Sequence, residues 1–287
     1  MSSREIAAVV RAQGGVCSLR TLSRLGISAD RVERATARGQ VSRVRRGWYA
    51  DGTAHPDVLR AVRAGGAITC VSTFRLLGAW TVDDERLHVR MRRGTGTPGG
   101  TGLRRHWTDL PVTSPIDPLL ESARCLARCL PHDDAVAVLD SVLHLGLLSL
   151  AELRRQSDPR LVRLLVDVDP HAESGLESLA RLRLRRRRIR LRSQVPIPGI
   201  GRVDFLIGDR LILELDGKEF HDFEEDRARD RRSAVRDYLT VRASYNHVMT
   251  GWDGLEAELL TLIRRDAHRR PHGGSTRARG VKRRARL

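Results

Sequence analysis

The stretch GRVDFLIGDRLILELDGKEFH, residues 201–221, decides how the C-terminal half of the chain folds. Leu211–Asp216 reads as a strand, along which successive side chains point to alternate faces. Leu211, Leu213 and Leu215 share one face and are expected to be buried against helices, while Ile212, Glu214 and Asp216 share the other. Val203–Ile207 reads as a preceding strand, and Gly208-Asp209 as the hairpin turn between the two. Asp204 is then expected to meet Glu214 across the hairpin. Lys218 joins the Glu214 face if the strand runs on through Gly217.

That cluster suits phosphodiester hydrolysis. The reaction needs a hard cation held by carboxylates with positions left open for water and phosphate. It also needs a base or positioning group for the attacking water, and a cation near the developing charge. Lys218 and Lys282 are the only lysines in a chain that otherwise uses arginine, so a lysine here suggests a demand for a compact, tunable ammonium. Drift at a solvated turn is the plainer alternative.

Outward from this hairpin, Ser174–Arg188 reads as a helix ending in arginines, Phe223–Arg236 as a charged helix, Leu239–Ala243 as a strand and Gly254–Arg265 as a last helix. Ala267–Leu287 is rich in Arg and Gly without apolar periodicity and is expected to be a disordered basic arm. At the other end, Ile6, Val9 and Val10 form a helical stripe closed by Gly14-Gly15. Ser18 is placed to cap a second helix carrying Leu19, Leu22 and Leu25, and Ser28 a third over Ala29–Arg38, with Val32 and Ala35 inward. Val41–Tyr49 alternates as a hairpin turning at Arg45-Arg46-Gly47. Three helices and a basic hairpin make a winged helix-turn-helix, a shape that enters a major groove. Its DNA contacts are expected from Arg31 and Arg34 on the third helix and Arg43, Arg45 and Arg46 on the wing. A protein-docking module is the alternative.

Between these parts the signal is weaker. His55–Ala64, Ser72–Gly78, Ser114–Leu130, Asp133–Leu143 and Ser149–Gln156 read as helices, and Leu87–Met91 as a strand. Gly94–Gly102 lacks the Lys-Ser/Thr of a phosphate-binding loop and reads as a hairpin tip or linker.

The Asp204…Glu214-Leu-Asp216 pattern resembles the PD-(D/E)XK nuclease superfamily, and more narrowly the domains similar to very-short-patch-repair endonucleases. Those show a helix with a glutamate, a Gln before the first catalytic strand, Val-Asp-Phe, an acidic-x-Asp-Gly strand, a His and a charged helix. The counterparts are Glu177, Gln194, Val203-Asp204-Phe205, Glu214-Leu-Asp216-Gly217, His221 and Asp226-Arg227…Arg229-Asp230. The resemblance spans about residues 170–250. It implies Mg²⁺, or Mn²⁺, held by Asp204 and Glu214 with Glu177 or Asp216, and water or phosphate positioned by Lys218, Gln194 and His221. The superfamily's lysine usually stands two residues after the second acid, where this chain has Asp216. Some counterparts have a plainer reading too: Glu177 as a solvated acid beside Arg181, Gln194 as a turn residue, His221 as a helix cap, and Asp226, Arg229 and Asp230 as a solvated helix face.

The N-terminal half, over about residues 1–155, is similar to AbiEi-type antitoxins and related regulators. The similarity lies in Ile6…Gly14-Gly15…Leu22…Gly26-Ile-Ser28…Arg43-Val-Arg-Arg-Gly47-Trp-Tyr49, followed by Val112-Thr113-Ser114-Pro115 and Leu139-Asp140…Leu143. It implies operator binding and a possible toxin or defence-system partner.

A formal net charge of +17 on 287 residues suits a polyanionic partner, although arginine-favouring coding would also produce it. Cys17, Cys70, Cys125 and Cys129 show no paired C-x-x-C spacing, and Cys125 and Cys129 are expected to face a helical core. Structural zinc and a disulfide framework are therefore not expected. No signal segment or long apolar span stands out, so a soluble cytoplasmic protein without membrane contact is expected.

The reading is an α+β multidomain chain: a winged helix at 1–52, a middle α/β connector at 53–165, an α/β nuclease-like domain of PD-(D/E)XK type at 166–266 and a basic tail at 267–287. The expected function is Mg²⁺-dependent DNA cleavage. The rival is a non-enzymatic, antitoxin-like regulator with an inactive nuclease fold.

Overall fold

The computed structural model describes residues 3–94, 100–216 and 231–270. Lys218 and His221 lie outside the described residues. So do most of the segment read as the charged helix and residues 271–287 of the basic tail. The chain divides into two compact units, Met1–Leu179 and Ala180–Leu287. Both mix helices with small sheets.

The first unit opens with α1 (Ser3–Ala12), β1 (Val16–Ser18), α2 (Leu19–Arg24), α3 (Ala29–Ala37), β2 (Ser42–Arg45) and β3 (Trp48–Ala50). Ser18 caps α2 by accepting from the Thr21 amide at 3.1 Å. Gly26, at φ 79°, closes the helix and lets Ile27 N–H reach back to the Leu22 carbonyl. Ser28 occupies the cap position of α3, but its side chain makes no capping bond. The three strands form an antiparallel sheet in the order β1-β3-β2. Ile6, Val10, Leu22, Ile27, Val32, Ala35, Val41 and Tyr49 close a core around it.

The unit continues with α4 (Pro56–Arg63), β4 (Ala67–Ile68), α5 (Cys70–Leu76), β5 (Leu87–Arg92), β6 (Leu103–Thr108), α6 (Leu119–Cys129), α7 (His132–His144), α8 (Leu150–Arg154) and α9 (Pro159–Leu164). Ser149 and Glu152 form a complete capping box on α8. Val16, Trp48 and Ala50 of the first sheet share a buried cluster with Val58, Val62, Ile68, Leu87, Val89 and Met91. The N-terminal segment and the region after residue 52 thus pack on common apolar surface. The second sheet runs β4-β5-β6, with β5 and β6 parallel. β5 and β6 are therefore not the two arms of a hairpin, since a tight turn joins antiparallel strands, and of the two readings of Gly94–Gly102 only the linker fits; residues 95–99 themselves lie outside the described residues. α10 (Gly175–Arg186) begins against Trp80, and any Cβ at position 175 would collide with that ring.

The second unit holds most of α10, then β7 (Leu191–Ile197), β8 (Gly201–Ile207), β9 (Leu211–Asp216), a helical segment at 231–235, β10 (Leu239–Ser244), α11 (Tyr245–Met249) and α12 (Trp252–Arg264). The sheet order is β10-β9-β8-β7: an antiparallel meander with β10 added parallel to β9. Leu211 and Leu213, with Phe205, Ile207 and Ala243, pack on Ala180 and Leu184 of α10 and Leu255 and Leu259 of α12. This is the face expected to be buried. Ile212 packs apart, with Ile197, Ile200, Val203 and Leu206. β7, which carries Gln194 and Pro196, is an edge strand, where a residue without an N–H is tolerated. No helix among the described residues is long and apolar enough to cross a membrane.

Candidate functional site

The β8–β9 pairing runs through Phe205↔Leu213, Leu206↔Ile212 and Ile207↔Leu211. One further step sets Asp204 opposite Glu214, and there side chains take over from the backbone ladder. Asp204 Oδ2 accepts from the Leu215 amide at 2.8 Å, and Glu214 Oε2 accepts from the Asp204 amide at 3.3 Å. Each carboxylate thus bonds the other's strand. Glu214 is buried and Asp204 half-buried.

The same row continues to both sides. On β7, Ser193 pairs with Phe205 and Val195 with Val203, so Gln194 falls opposite Asp204. Gln194 is in the left-handed region at φ 53°, which interrupts the ladder at that position. On β10, Arg242 pairs with Glu214, and its guanidinium lies 3.5 Å from an oxygen of Asp216. Gln194, Asp204, Glu214 and Arg242 therefore stand abreast on four adjacent strands, with Asp216 paired to Arg242. Two acids, an amide and a guanidinium in one row offer hard oxygen donors beside a fixed positive charge.

Glu177 lies in the first unit, in the first turn of α10. It is buried, as is Arg181 four residues on, so the reading of Glu177 as a solvated acid does not hold. Ser174 accepts from the Glu177 amide, and Glu177 Oε2 accepts from the Glu173 amide at 3.4 Å, which resembles a helix cap. Among the described residues, Asp204, Glu214 and Asp216 do not form a group of three acids converging on one point.

On the N-terminal segment, Arg34, Arg43 and Arg46 are exposed, and Arg31 is half-buried. Arg45 is half-buried and donates to the Val62 carbonyl of α4 at 3.4 Å. Part of what was expected as a free wing cation is thus tied to the protein's own backbone.

Sequence reasoning missed a second cluster. Cys125 and Cys129 were expected to face a plain helical core. The fold instead brings Cys129, the last residue of α6, together with Cys70, His88 and His106 from α5, β5 and β6. One ligand atom from each of these four residues lies within 4.8 Å of all the others. The thiol of Cys129 is drawn well below the usual range, first by its hydrogen bond to Cys70 and then by His106 and His88, against the opposing effect of burial. Burial pushes Cys70 the other way. Burial also opposes charge on His106, but the thiols of Cys125 and Cys129 outweigh it and raise the imidazole to about 9. No spacing signal announces this cluster, because its members come from four elements that pair only in the folded chain.

No family model matches the chain, and no curated protein does. A solved structure described as "Crystal structure of RV2827C protein from Mycobacterium tuberculosis" aligns over 61% of this chain and 73% of its own, at 18% identity and a TM-score of 0.25. A likeness that loose carries no argument about fold or function, and the reading of the site rests on its own geometry.

Proposed function

We propose that the chain is a metal-dependent DNA endonuclease, brought to DNA by a basic N-terminal segment that acts as a winged helix. The observation that carries this reading is the crossed Asp204–Glu214 pair, in register with Gln194 on one flank and Arg242 on the other. Carboxylate oxygens are the donors that Mg²⁺ or Mn²⁺ prefers. Asp204 and Glu214 would hold the ion, with Asp216 next in line. When bound, the cation lowers the pKa of a coordinated water and screens charge on the phosphate. Gln194 orients that water or a phosphate oxygen, and Arg242 supplies positive charge on the sheet's far edge. The order of α10, Gln194 on β7, Val-Asp-Phe on β8 and the acidic strand β9 supports the likeness to very-short-patch-repair domains of the PD-(D/E)XK superfamily.

One observation favours a second reading. Both acids bond backbone amides, and Asp216, ion-paired to Arg242, does not complete a three-acid group with them. That arrangement suits a nuclease fold retained as a platform in a DNA-binding, antitoxin-like regulator, with a toxin or defence-system component as partner. Nicking of supercoiled plasmid, measured beside binding to the same DNA with Mg²⁺, Mn²⁺ or EDTA, separates the two. The nuclease reading expects cutting with either metal, none with EDTA, and a loss of orders of magnitude in Glu214→Gln while binding persists. Wild-type protein that binds DNA but never cuts it overturns the nuclease reading in favour of the regulator.

A further inference from the structure

We propose that Cys70, His88, His106 and Cys129 form a closed, tetrahedral site for a structural Zn²⁺ ion in the first unit, separate from the carboxylate row and unrelated to cleavage chemistry.

The geometry has the right size. Zn²⁺ sits about 2.0–2.1 Å from imidazole nitrogen and 2.3 Å from thiolate sulfur, which puts tetrahedral neighbours about 3.3–3.8 Å apart. His88 Nδ1 lies 3.2 Å from His106 Nε2 and 3.7 Å from Cys129 Sγ. The ligand atom of Cys70 lies within 4.8 Å of all three. Two thiolates and two imidazoles are a borderline-soft set that selects zinc over Mg²⁺. With four protein donors no position remains for water, so the site is structural.

Three independent features support it. The first is the outer support of His88. With Nδ1 turned into the cluster, its Nε2 lies 3.1 Å from Asp84 Oδ2. Asp84 is itself held by the amide, Nε and Nη2 of Arg86. A carboxylate behind a ligating histidine fixes the tautomer and the ring orientation. The second is backbone strain. Cys70 sits in the left-handed region at φ 58°, a conformation rare for a residue with a side chain, at the start of α5. The third is the bracing around the ligands. The Thr69 amide donates to the His88 carbonyl, the His88 amide to Ser72 Oγ, and Arg104 to the Cys129 carbonyl. The four ligands thus sit on α5, β5, β6 and the end of α6 in a braced frame. A zinc ion there ties a three-stranded sheet, one of whose strands has two residues, to both helices. Cys125 lies one helical turn before Cys129 and is the neighbouring thiol rather than a ligand.

The test uses the full-length chain, purified under reductant and dialysed against metal-free buffer. Elemental analysis is expected to find one zinc per chain. Replacement with Co²⁺ is expected to give visible d–d bands of tetrahedral cobalt and a thiolate-to-cobalt charge-transfer band. A thiol reagent should gain access to two further cysteines only after a strong chelator is added, a readout that needs no variant. Cys129→Ser and His106→Ala should lose the zinc, while Cys125→Ser and Asp204→Asn keep it. Wild-type protein with neither zinc nor a cobalt–thiolate band overturns the proposal. Loss of zinc in Cys125→Ser but not in Cys129→Ser overturns the ligand set. Loss in Asp204→Asn overturns the separation from the carboxylate row. Plasmid nicking plays no part in these readouts, so failure of the nuclease reading leaves them intact.

Discussion

Asp84 Oδ2 stands 3.1 Å from Nε2 of the buried His88, while Arg86 grips the same carboxylate through its guanidinium and its amide. The relationship orients one imidazole so that its other nitrogen faces Cys129 and His106. It makes Asp84 a positioning residue. Asp84→Asn keeps the shape but weakens the bond that holds the ring, and removal of such outer support typically costs 10–100-fold in metal affinity. Zn²⁺ affinity measured against a chromophoric chelator should fall by that factor. An unchanged affinity would place Asp84 outside the site's support.

Arg90 and Asp117 form a bidentate pair in the first unit, with Nε–Oδ2 at 2.7 Å and Nη2–Oδ1 at 2.8 Å, and both are buried. Removing one partner leaves the other charge stranded. Asp117→Ala is expected to destabilise the fold by about 3–5 kcal/mol, and Arg90→Met with Asp117→Leu to recover most of that loss. Denaturant unfolding of the single and double variants checks it. A single variant within 1 kcal/mol of wild type, by the same order-of-magnitude reasoning, would contradict the account.

Gln194 carries a side chain in a left-handed conformation that costs such residues about 1–2 kcal/mol. Glycine removes that cost and adds about 0.5–1 kcal/mol of unfolded-state entropy. Gln194→Gly should therefore leave stability unchanged or raise it slightly, and Gln194→Val should lower it. If the amide also orients water or phosphate, the glycine variant nicks DNA more slowly despite its stability. Full nicking by Gln194→Gly would confine the residue to a structural role.

Arg43 and Arg46 are exposed, whereas Arg45 donates to the Val62 carbonyl. Each lysine or arginine contact to phosphate contributes about 0.9 to the slope of log affinity against log salt. Arg43→Ala with Arg46→Ala should reduce that slope by about 1–2. Arg45→Ala should change it less and should also lower the melting temperature. Salt titrations of DNA binding by fluorescence anisotropy measure the slopes. Equal slopes for wild type and the double variant would move the DNA contact off β2 and its turn.

Much of the fold was legible where the signal is local. The alternation of Leu213–Asp216 and the Gly208-Asp209 turn specify the β8–β9 hairpin, because side-chain period and turn chemistry are properties of neighbouring residues. That hairpin is why Asp204 and Glu214 were expected to meet. The cap at Ser18 and the helix starting at Ser149 follow from the same kind of information. Ser28 shows its limit: a residue suited to capping occupies the position, yet its side chain makes no capping bond.

What only the tertiary structure decided is pairing over distance. Three-residue β1 and Pro-containing β7 carry too little pattern to be read alone, and each exists because a partner strand is in place. The parallel match of β5 with β6 removed the hairpin alternative for Gly94–Gly102 and left the linker one. The register of β7 puts Gln194 opposite Asp204, and the packing of α6 brings Cys129 to His88. Local sequence encodes which way a side chain points along its own element. Which elements come together is set by burial of their apolar faces, and from that burial come the row of site residues on the sheet and the gathering of thiols and imidazoles.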